Sequence, residues 1–390
     1  MKLSNASTRL LGQKMFQILE KCQNLESQGK KIYHFEIGDP DFDTPSNIKN
    51  AAIESLLRGD THYSKSSGID VLKEKARHVT LKSRGFLPDF DQILVTPGAN
   101  FQIYLASACI LNPGDEVIIP NPSFVSYNSI AQLIGAKIIS VPLSYDNNYK
   151  IDPDYLRSKI TKNTKLIIIN SPNNPTGSVM SQNDFKEIYE IAEENDIYLI
   201  SDEIYSRMIY KDHKVDFYSP STIDQCKNRV ILINGLSKSY AMTGWRIGLV
   251  TGPKDLIYKM ALLQETLVSC VPVFTQYAAL EAISASQVEI NHMVDQFKKR
   301  RDMLYNGLRT LNGFELIKPD GAFYMFPRIS KINTNSQMLA DEILDKLGIA
   351  VAPGSIFGEY GEGHIRFCFA NSMQNIEIAL EKLKKYFGEK

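Results

Sequence analysis

Apolar runs that recur between helical segments constrain this chain more than any other feature. Residues 92–96, 116–119, 136–141, 165–170, 198–202, 229–233 and 247–251 are strand-like and rich in Ile, Leu and Val. Mostly helical stretches separate them, and that alternation predicts an α/β fold on a largely parallel sheet. Strands this apolar need cover on both faces, which helices on each side of a parallel sheet provide. In open sheets of this kind ligands bind beyond the carboxyl ends of the strands. Polar turns at 170–177, 202–205 and 235–238 each follow such an end, so three turns are expected to converge on one site.

With 390 residues the chain can bury a large core, as two or three domains or as one large α/β domain with an appendage. Lys plus Arg and Asp plus Glu both number 44, so no net basic field favours nucleic acid or an anionic membrane. Small-molecule chemistry is the default that remains. Cys22, Cys109, Cys226, Cys270 and Cys368 are scattered with no C-x-x-C, which fits buried thiols in a reducing compartment and no zinc site. The first eleven residues lack an apolar segment, and no run of about 18 apolar residues occurs, so a cytoplasmic protein is expected.

Several local expectations follow from periodicity and capping. Residues 12–30 read as a helix with Met15, Ile18, Leu19 and Cys22 on one face, followed by a strand over 31–37 that ends at Gly38-Asp39-Pro40-Asp41. Thr44 as N-cap with Pro45 in the first turn predicts a helix to about residue 59. After the strand at 92–96, Pro97-Gly98-Ala99-Asn100 turns into an apolar helix through Ile110. Its unpaired first N–H groups and positive dipole end make an anion site. Residues 290–311 predict a helix with Lys298, Lys299, Arg300 and Arg301 on a solvated face and Met293, Phe297, Met303 and Leu304 on an apolar stripe. From 313 onward, strands at 323–326, 350–351 and 364–370 alternate with helices as in a smaller α+β unit.

Lys238 follows the apolar run 229–233, is trailed by Tyr240, Met242 and Trp245, and is flanked by Gly235, Gly244 and Gly248, which allow close backbone approach. An isolated strand-to-loop lysine is an ordinary surface residue. In this setting it reads as a pocket lysine, whose partly desolvated amine becomes a nucleophile able to condense with an aldehyde. Ser237 and Arg246 are placed to hold an anion nearby. Asp202 emerges at the mouth of the sheet after 197–200; alone it is a plausible helix N-cap. Beside Lys238 it supplies the acid that keeps a pyridoxal phosphate ring nitrogen protonated. The turn-rich loop Asn170-Ser171-Pro172-Asn173-Asn174-Pro175-Thr176-Gly177 offers Asn174 as donor to a phenolate oxygen.

With these motifs in place, the chain resembles the class I aminotransferases of the fold type I pyridoxal-phosphate enzymes, in the bacterial aspartate and aromatic aminotransferase-like branch. Gly38-Asp39-Pro40-Asp41-Phe42, the 63–68 loop, Thr96-Pro97-Gly98-Ala99-Asn100, Asn173-Asn174-Pro175-Thr176-Gly177, Ser201-Asp202-Glu203-Ile204-Tyr205, Ser237-Lys238 through Gly248, Gly321-Ala322-Phe323-Tyr324 and Ile365-Arg366-Phe367 appear in family order, essentially end to end. The resemblance implies a large domain over 46–285 with a seven-stranded, mainly parallel sheet. It implies a smaller α+β domain from 286–390 joined by the N-terminal segment 1–45, and a homodimer with shared active sites.

The resemblance also implies roles. Lys238 binds the cofactor aldehyde and shuttles the substrate Cα proton, Asp202 holds the pyridinium, and Asn174 and Tyr205 bind the ring oxygen. Phe124 stacks on the ring. The backbone amides of Ala99 and Asn100, with Ser237 and Arg246, hold the phosphate, and Tyr63 reaches the partner subunit's phosphate. Arg366 grips the substrate α-carboxylate as a two-pronged fork, with the Gly38 backbone and the Phe124 and Asn174 side chains around it. Read without the resemblance, Arg366 in a strand is a salt-bridge residue.

The implied reaction is transfer of an amino group between an α-amino acid and a 2-oxo acid, with 2-oxoglutarate and glutamate as one pair. The same fold also serves β-eliminating C–S lyases and, with an added DNA-binding module, regulators. The chain departs from its aspartate-using relatives at the phosphate turn, where Asn100 stands in place of their lysine. Without a replacement cation, for which Lys14 and Lys65 are candidates, aspartate is expected to be a poor substrate beside neutral or aromatic amino acids.

Overall fold

The computed structural model describes the chain except for Met1, Leu11, Gln13, 211–216 and Ser330, and the side chains of Lys14 and Phe16 also lie outside the described set. Its strands are β1 (Tyr33–His34), β2 (Ile93–Thr96), β3 (Glu116–Asn121), β4 (Lys137–Pro142), β5 (Thr164–Asn170), β6 (Tyr198–Asp202), β7 (Val230–Gly235), β8 (Gly248–Thr251), β9 (Tyr324–Met325), β10 (Ile349–Ala350), β11 (Ala352–Pro353) and β12 (Ile365–Cys368). One seven-stranded sheet runs in the order β2-β8-β7-β6-β5-β3-β4. All neighbours are parallel except around β8, which is antiparallel to both β2 and β7.

The apolar runs explain why this sheet lies inside. In β5, Leu166 and Ile168 join one core cluster with Val117, Ile119 and Ile233. Ile167 and Ile169 join the cluster on the other face with Ile118, Val141 and Leu199. Alternate side chains thus enter two cores, and from Leu166 to Asn170 neither face of the strand meets water. Each buried aliphatic side chain contributes about 1.5–3 kcal/mol, so truncating Ile168 to Ala removes several.

The smaller α+β unit pairs β11, β12 and β9 antiparallel and sets β1 parallel to β10. Its core gathers Phe297, Phe314, Phe323, Leu339, Phe367 and Leu383, and it also takes in Ile204, Tyr205 and Met208, which follow β6. The large sheet and the small core therefore meet immediately beyond the end of β6.

Three local expectations are corrected. The strand over 31–37 shrinks to Tyr33–His34, because only a short stretch pairs with β10. Single backbone bonds continue the track, from Phe35 N to Ala350 O (2.9 Å) and from Cys368 N to Phe35 O (2.7 Å). Thr44 does not cap the next helix, which is Ser46–Leu57 with Pro45 at the N-cap position. Its hydroxyl instead bonds to the Ala241 carbonyl and accepts from Trp245 Nε1 at 3.0 Å. The third correction concerns the charged face of Val288–Leu308, for Arg300 and Arg301 are buried. Arg300 pairs with Asp41 and lies over Phe42. Arg301 pairs with Asp302 and lies 4.4 Å from the Tyr210 ring centre. Flat guanidinium groups can be buried this way because they stack on rings while their edges donate hydrogen bonds.

Candidate active site

The carboxyl ends of β2, β5, β6 and β7 open onto a cavity of about 430 Å³. Ala99 and Asn100 reach it from the turn after β2, and Asn174 from the loop after β5. Asp202 ends β6 and Tyr205 follows it, while Ser237 and Lys238 come after β7. Phe124, Arg246, Gly38 and Arg366 close the walls. Of the residues to which the resemblance gave a role, Tyr63 lies outside the lining, 88% exposed.

Lys238 Nζ donates to the Gly38 carbonyl at 2.6 Å. Burial pushes its amine down to about 8, with Asp39 opposing the shift. Against an ordinary lysine, that raises the neutral, nucleophilic fraction at pH 7 by roughly two orders of magnitude. Gly38 can approach so closely because it has no side chain: a Cβ there would lie 2.0 Å from the Tyr324 hydroxyl oxygen. Of the glycines flanking Lys238, Gly235 and Gly248 have close neighbours, whereas Gly244 faces open space.

Asp202 is 3% exposed. Its Oδ2 accepts from the Tyr127 hydroxyl at 2.7 Å and its Oδ1 from Ile204 N at 3.1 Å. Burial raises its pKa to about 6 despite both bonds. Among the described residues no cation pairs with it, so the site holds a buried carboxylate that a positively charged ligand atom would complete. Tyr127 escaped the sequence reading, although it stands three residues beyond Phe124 and, on the helix Val125–Ile134, points to the same cavity.

At the other end, the helix Ala99–Ile110 begins at Gly98 with no side-chain cap, leaving its first N–H groups for a ligand. The Arg246 guanidinium packs on Gly98, where a Cβ would sit 2.6 Å from Nη2. Arg246 has left-handed backbone (φ 50°), costly for a non-glycine residue and a recurrent mark of functional positions. Its Nη1 donates to Thr243 O at 2.8 Å, and no carboxylate pairs with it among the described residues. Ser237 is buried beside it, on the same cavity.

Arg366 is buried without a salt bridge among the described residues, so the ion-pair reading of this strand residue does not hold. Its Nη1 donates to Asn174 Oδ1 at 2.9 Å and its Nη2 to the Glu36 carbonyl. The guanidinium lies between the rings of Tyr324 (4.4 Å) and Phe357 (4.8 Å), and its Nε is buried with no partner. Tyr324 also bonds to the Tyr205 hydroxyl at 2.8 Å. Asn170 fixes the clamp from below, its Oδ1 accepting from Asn174 N at 2.8 Å. Tyr324 and Asn170 lay in motifs quoted from the sequence without a role, while Phe357 and Met15 gave no sequence signal as site residues.

An amine poised for an aldehyde, a buried acid lacking its cation, a capless helix with a free arginine, and a carboxylate fork with a spare donor together fit pyridoxal phosphate and an amino acid. The family model for aminotransferase class I and II matches residues 30–383. The chain belongs to the class I and II aminotransferases. This aminotransferase is 41% identical over 386 residues to a probable aspartate aminotransferase of Methanocaldococcus jannaschii, covering 95% of this chain and all of that one. It is 37% identical to aromatic-amino-acid aminotransferase 2 of Thermococcus litoralis, covering 97% and 95% of the two chains. The solved aspartate aminotransferase of Thermus thermophilus with maleate superposes with a TM-score of 0.94 at 33% identity, over 99% of both chains. Membership of the aminotransferases implies pyridoxal phosphate as cofactor and amino and 2-oxo acids as substrates.

Proposed function

We propose that this aminotransferase holds pyridoxal phosphate through Lys238 and Asp202 and acts preferentially on amino acids with neutral or aromatic side chains. The observation that carries the cofactor assignment is the Asp202 carboxylate, buried without a cation on the same cavity as the Lys238 amine. Pyridoxal phosphate, when bound, supplies an electron sink for the bond broken at the substrate Cα. Lys238 Nζ would bind the cofactor aldehyde, and the same amine is the base that would take the proton from the substrate Cα. Asp202, steadied by Tyr127, keeps a proton on the ring nitrogen. Asn174, its Oδ1 engaged by Arg366, has Nδ2 left to donate to the ring oxygen, and Tyr205 is its hydroxyl partner there. Phe124 would stack on the ring, while Ala99 and Asn100 N–H, Ser237 and Arg246 would hold the phosphate. Arg366, with the Gly38 backbone beside it, orients the substrate α-carboxylate.

The side-chain preference rests on the rest of the wall. Among the described residues the cations lining the cavity are Lys238, Arg246 and Arg366, each already assigned to the cofactor or the α-carboxylate, and Met15, Ile37, Val125 and Phe357 are apolar. Asn100 stays an uncharged neighbour of Ser126 (3.4 Å). Lys65 pairs with Asp70 at 2.7 Å on the surface, and the Lys14 side chain lies outside the described residues.

A homodimer is part of the proposal, with Tyr63 reaching the partner's phosphate. Exposed Tyr63, Leu56 and Leu57 favour it, as do Leu267 and Val268. A bond from Ser64 N to Cys270 Sγ (3.5 Å) draws these two stretches toward one face. We place the domain boundaries near residues 45 and 285. Among the described residues no helix is long and apolar enough to cross a membrane. No observation favours the C–S lyase reading.

Borohydride reduction of the yellow enzyme should fix the cofactor to the peptide containing Lys238, and label on another lysine would move the site. Assayed with 2-oxoglutarate, phenylalanine should exceed aspartate in kcat/KM. A tenfold or greater preference for aspartate would refute the side-chain assignment while leaving the cofactor assignment intact.

A further inference from the structure

The helix Lys14–Ser27 and β1 bring together a second cluster, outside the reaction cavity. The helix offers Cys22 and Glu26, four residues apart and so on one face. The strand side offers His34, which ends β1, and Glu36 two residues on, whose side chain meets the His34 ring. One ligand atom from each of Cys22, His34 and Glu36 lies within 4.8 Å of the other two. The His34 ring sits between carboxylates, Nδ1 2.8 Å from Glu36 Oε1 and Nε2 3.1 Å from Glu26 Oε1. Cys22 and Glu36 are fully buried, and Glu36 Oε2 has no hydrogen-bond partner.

Ordinary packing accounts for part of this. Cys22 sits in an apolar cluster with Ile32, Leu344 and Ala350, which suffices for a buried thiol. A histidine–carboxylate pair accounts for Glu36 Oε1. The Glu36 carboxylate raises the His34 imidazole to about 9 and so has a cation at its first oxygen, but its second oxygen, with no exposed surface, is left without a partner, which neither explains.

We propose that Cys22, His34 and Glu36 bind a divalent transition-metal cation of the zinc class. One thiolate and one carboxylate carry two negative charges, which a divalent ion neutralises in a buried setting. A sulfur–nitrogen–oxygen set suits zinc or cobalt and is unsuited to magnesium or calcium. His34 coordinates through Nδ1, and Glu26 receives the Nε2 proton, the carboxylate–histidine–metal arrangement that fixes ring and tautomer. The Cys22 thiol proton, and any second proton on His34, pass to solvent as the metal enters. Metal–ligand bonds of about 2.0–2.3 Å require the three donors to draw together by small side-chain rotations, and a water completes the tetrahedron. The half-exposed His34 and exposed Glu26 give the ion its way in. The ion would tie the helix to the stretch whose Glu36 carbonyl receives Arg366. The sequence hid this site because its donors lie on two separate elements with no C-x-x-C spacing.

The test is titration of chelator-treated, tag-free holoenzyme with cobalt(II), followed by its d–d bands in the red, beyond pyridoxal absorption. Wild type should develop tetrahedral bands that saturate stoichiometrically per chain and are abolished by zinc. Cys22→Ser, and Cys22→Ala as a second variant with folding checked by circular dichroism, should lose them. Glu26→Gln should weaken cobalt binding by about 10–100-fold. Cys270→Ser, a half-buried thiol elsewhere, should leave the bands unchanged. Absence of bands in wild type, or bands that survive either Cys22 variant, overturns the proposal.

Discussion

Tyr127 donates its hydroxyl proton to Asp202 Oδ2 across 2.7 Å, inside a site where the carboxylate has no protein cation for company. A hydrogen bond to a charged acceptor contributes about 1.5–3 kcal/mol, and this one favours the ionised form. Tyr127→Phe should therefore raise the Asp202 pKa above its present value of about 6 and lower kcat by about 10–100-fold in the folded enzyme. The pH dependence of apoenzyme stability checks the pKa: a slope that does not extend to higher pH in the variant would show that Tyr127 only fills space.

Asp202 also makes a stability prediction for the apoenzyme. Its folded pKa of about 6 lies above the ordinary 3.8, so between these values the folded state holds more protons than the unfolded one. Stability then falls as pH rises from about 4 to about 6, and the penalty is complete above that, at up to about 3 kcal/mol. Asp202→Asn removes the slope. Urea midpoints of the two apoproteins should converge near pH 4 and separate by pH 7.5, with the variant the more stable, although its turnover should drop by several kcal/mol in activation free energy. Equal midpoints at pH 7.5 would contradict the burial argument.

Lys238 titrates in the opposite sense. Burial lowers its amine to about 8, so the neutral form accumulates through that pH instead of near 10.5. The rate at which apoenzyme captures pyridoxal phosphate should rise with pH and level off above about 8. Stopped-flow absorbance measures it, and a rate still climbing tenfold between pH 9 and 10 would mean the amine is not desolvated.

Arg366→Lys should leave the fold intact and raise KM for the amino acid by about 10–100-fold with a smaller change in kcat. A lysine supplies charge but neither the planar fork nor the bond to Asn174. Steady-state kinetics with the preferred amino acid decides, and an unchanged KM would remove Arg366 from the clamp.

The sheet was legible in the sequence because burial on both faces leaves an unbroken apolar record, and 198–202 matches β6 residue for residue. Turn residues such as Asn174, Asp202 and Lys238 were legible because each follows such a record. What stayed hidden depends on contacts between distant parts of the chain. Thr44 carries a capping residue's chemistry but bonds to Ala241, and Arg300 carries a surface residue's charge but is buried against Asp41 and Phe42. Tyr127 and Phe357 are aromatic residues that any core would accommodate, and only the folded cavity gives them a role.

Position 38 shows what such closeness entails for change in the chain. Here the backbone passes between an amine that it holds and a phenol that it nearly touches, with no room for even a methyl group. Gly59 and Gly114, by contrast, have left-handed backbone and open space around them. Their tolerance is set by torsion, and asparagine is a reasonable replacement. At Gly38 the limit is clearance: any side chain must push Tyr324 away from Tyr205 or lift the segment off Lys238. Mutational drift can therefore reshape the surface turns of this enzyme freely while the thread across its site stays fixed.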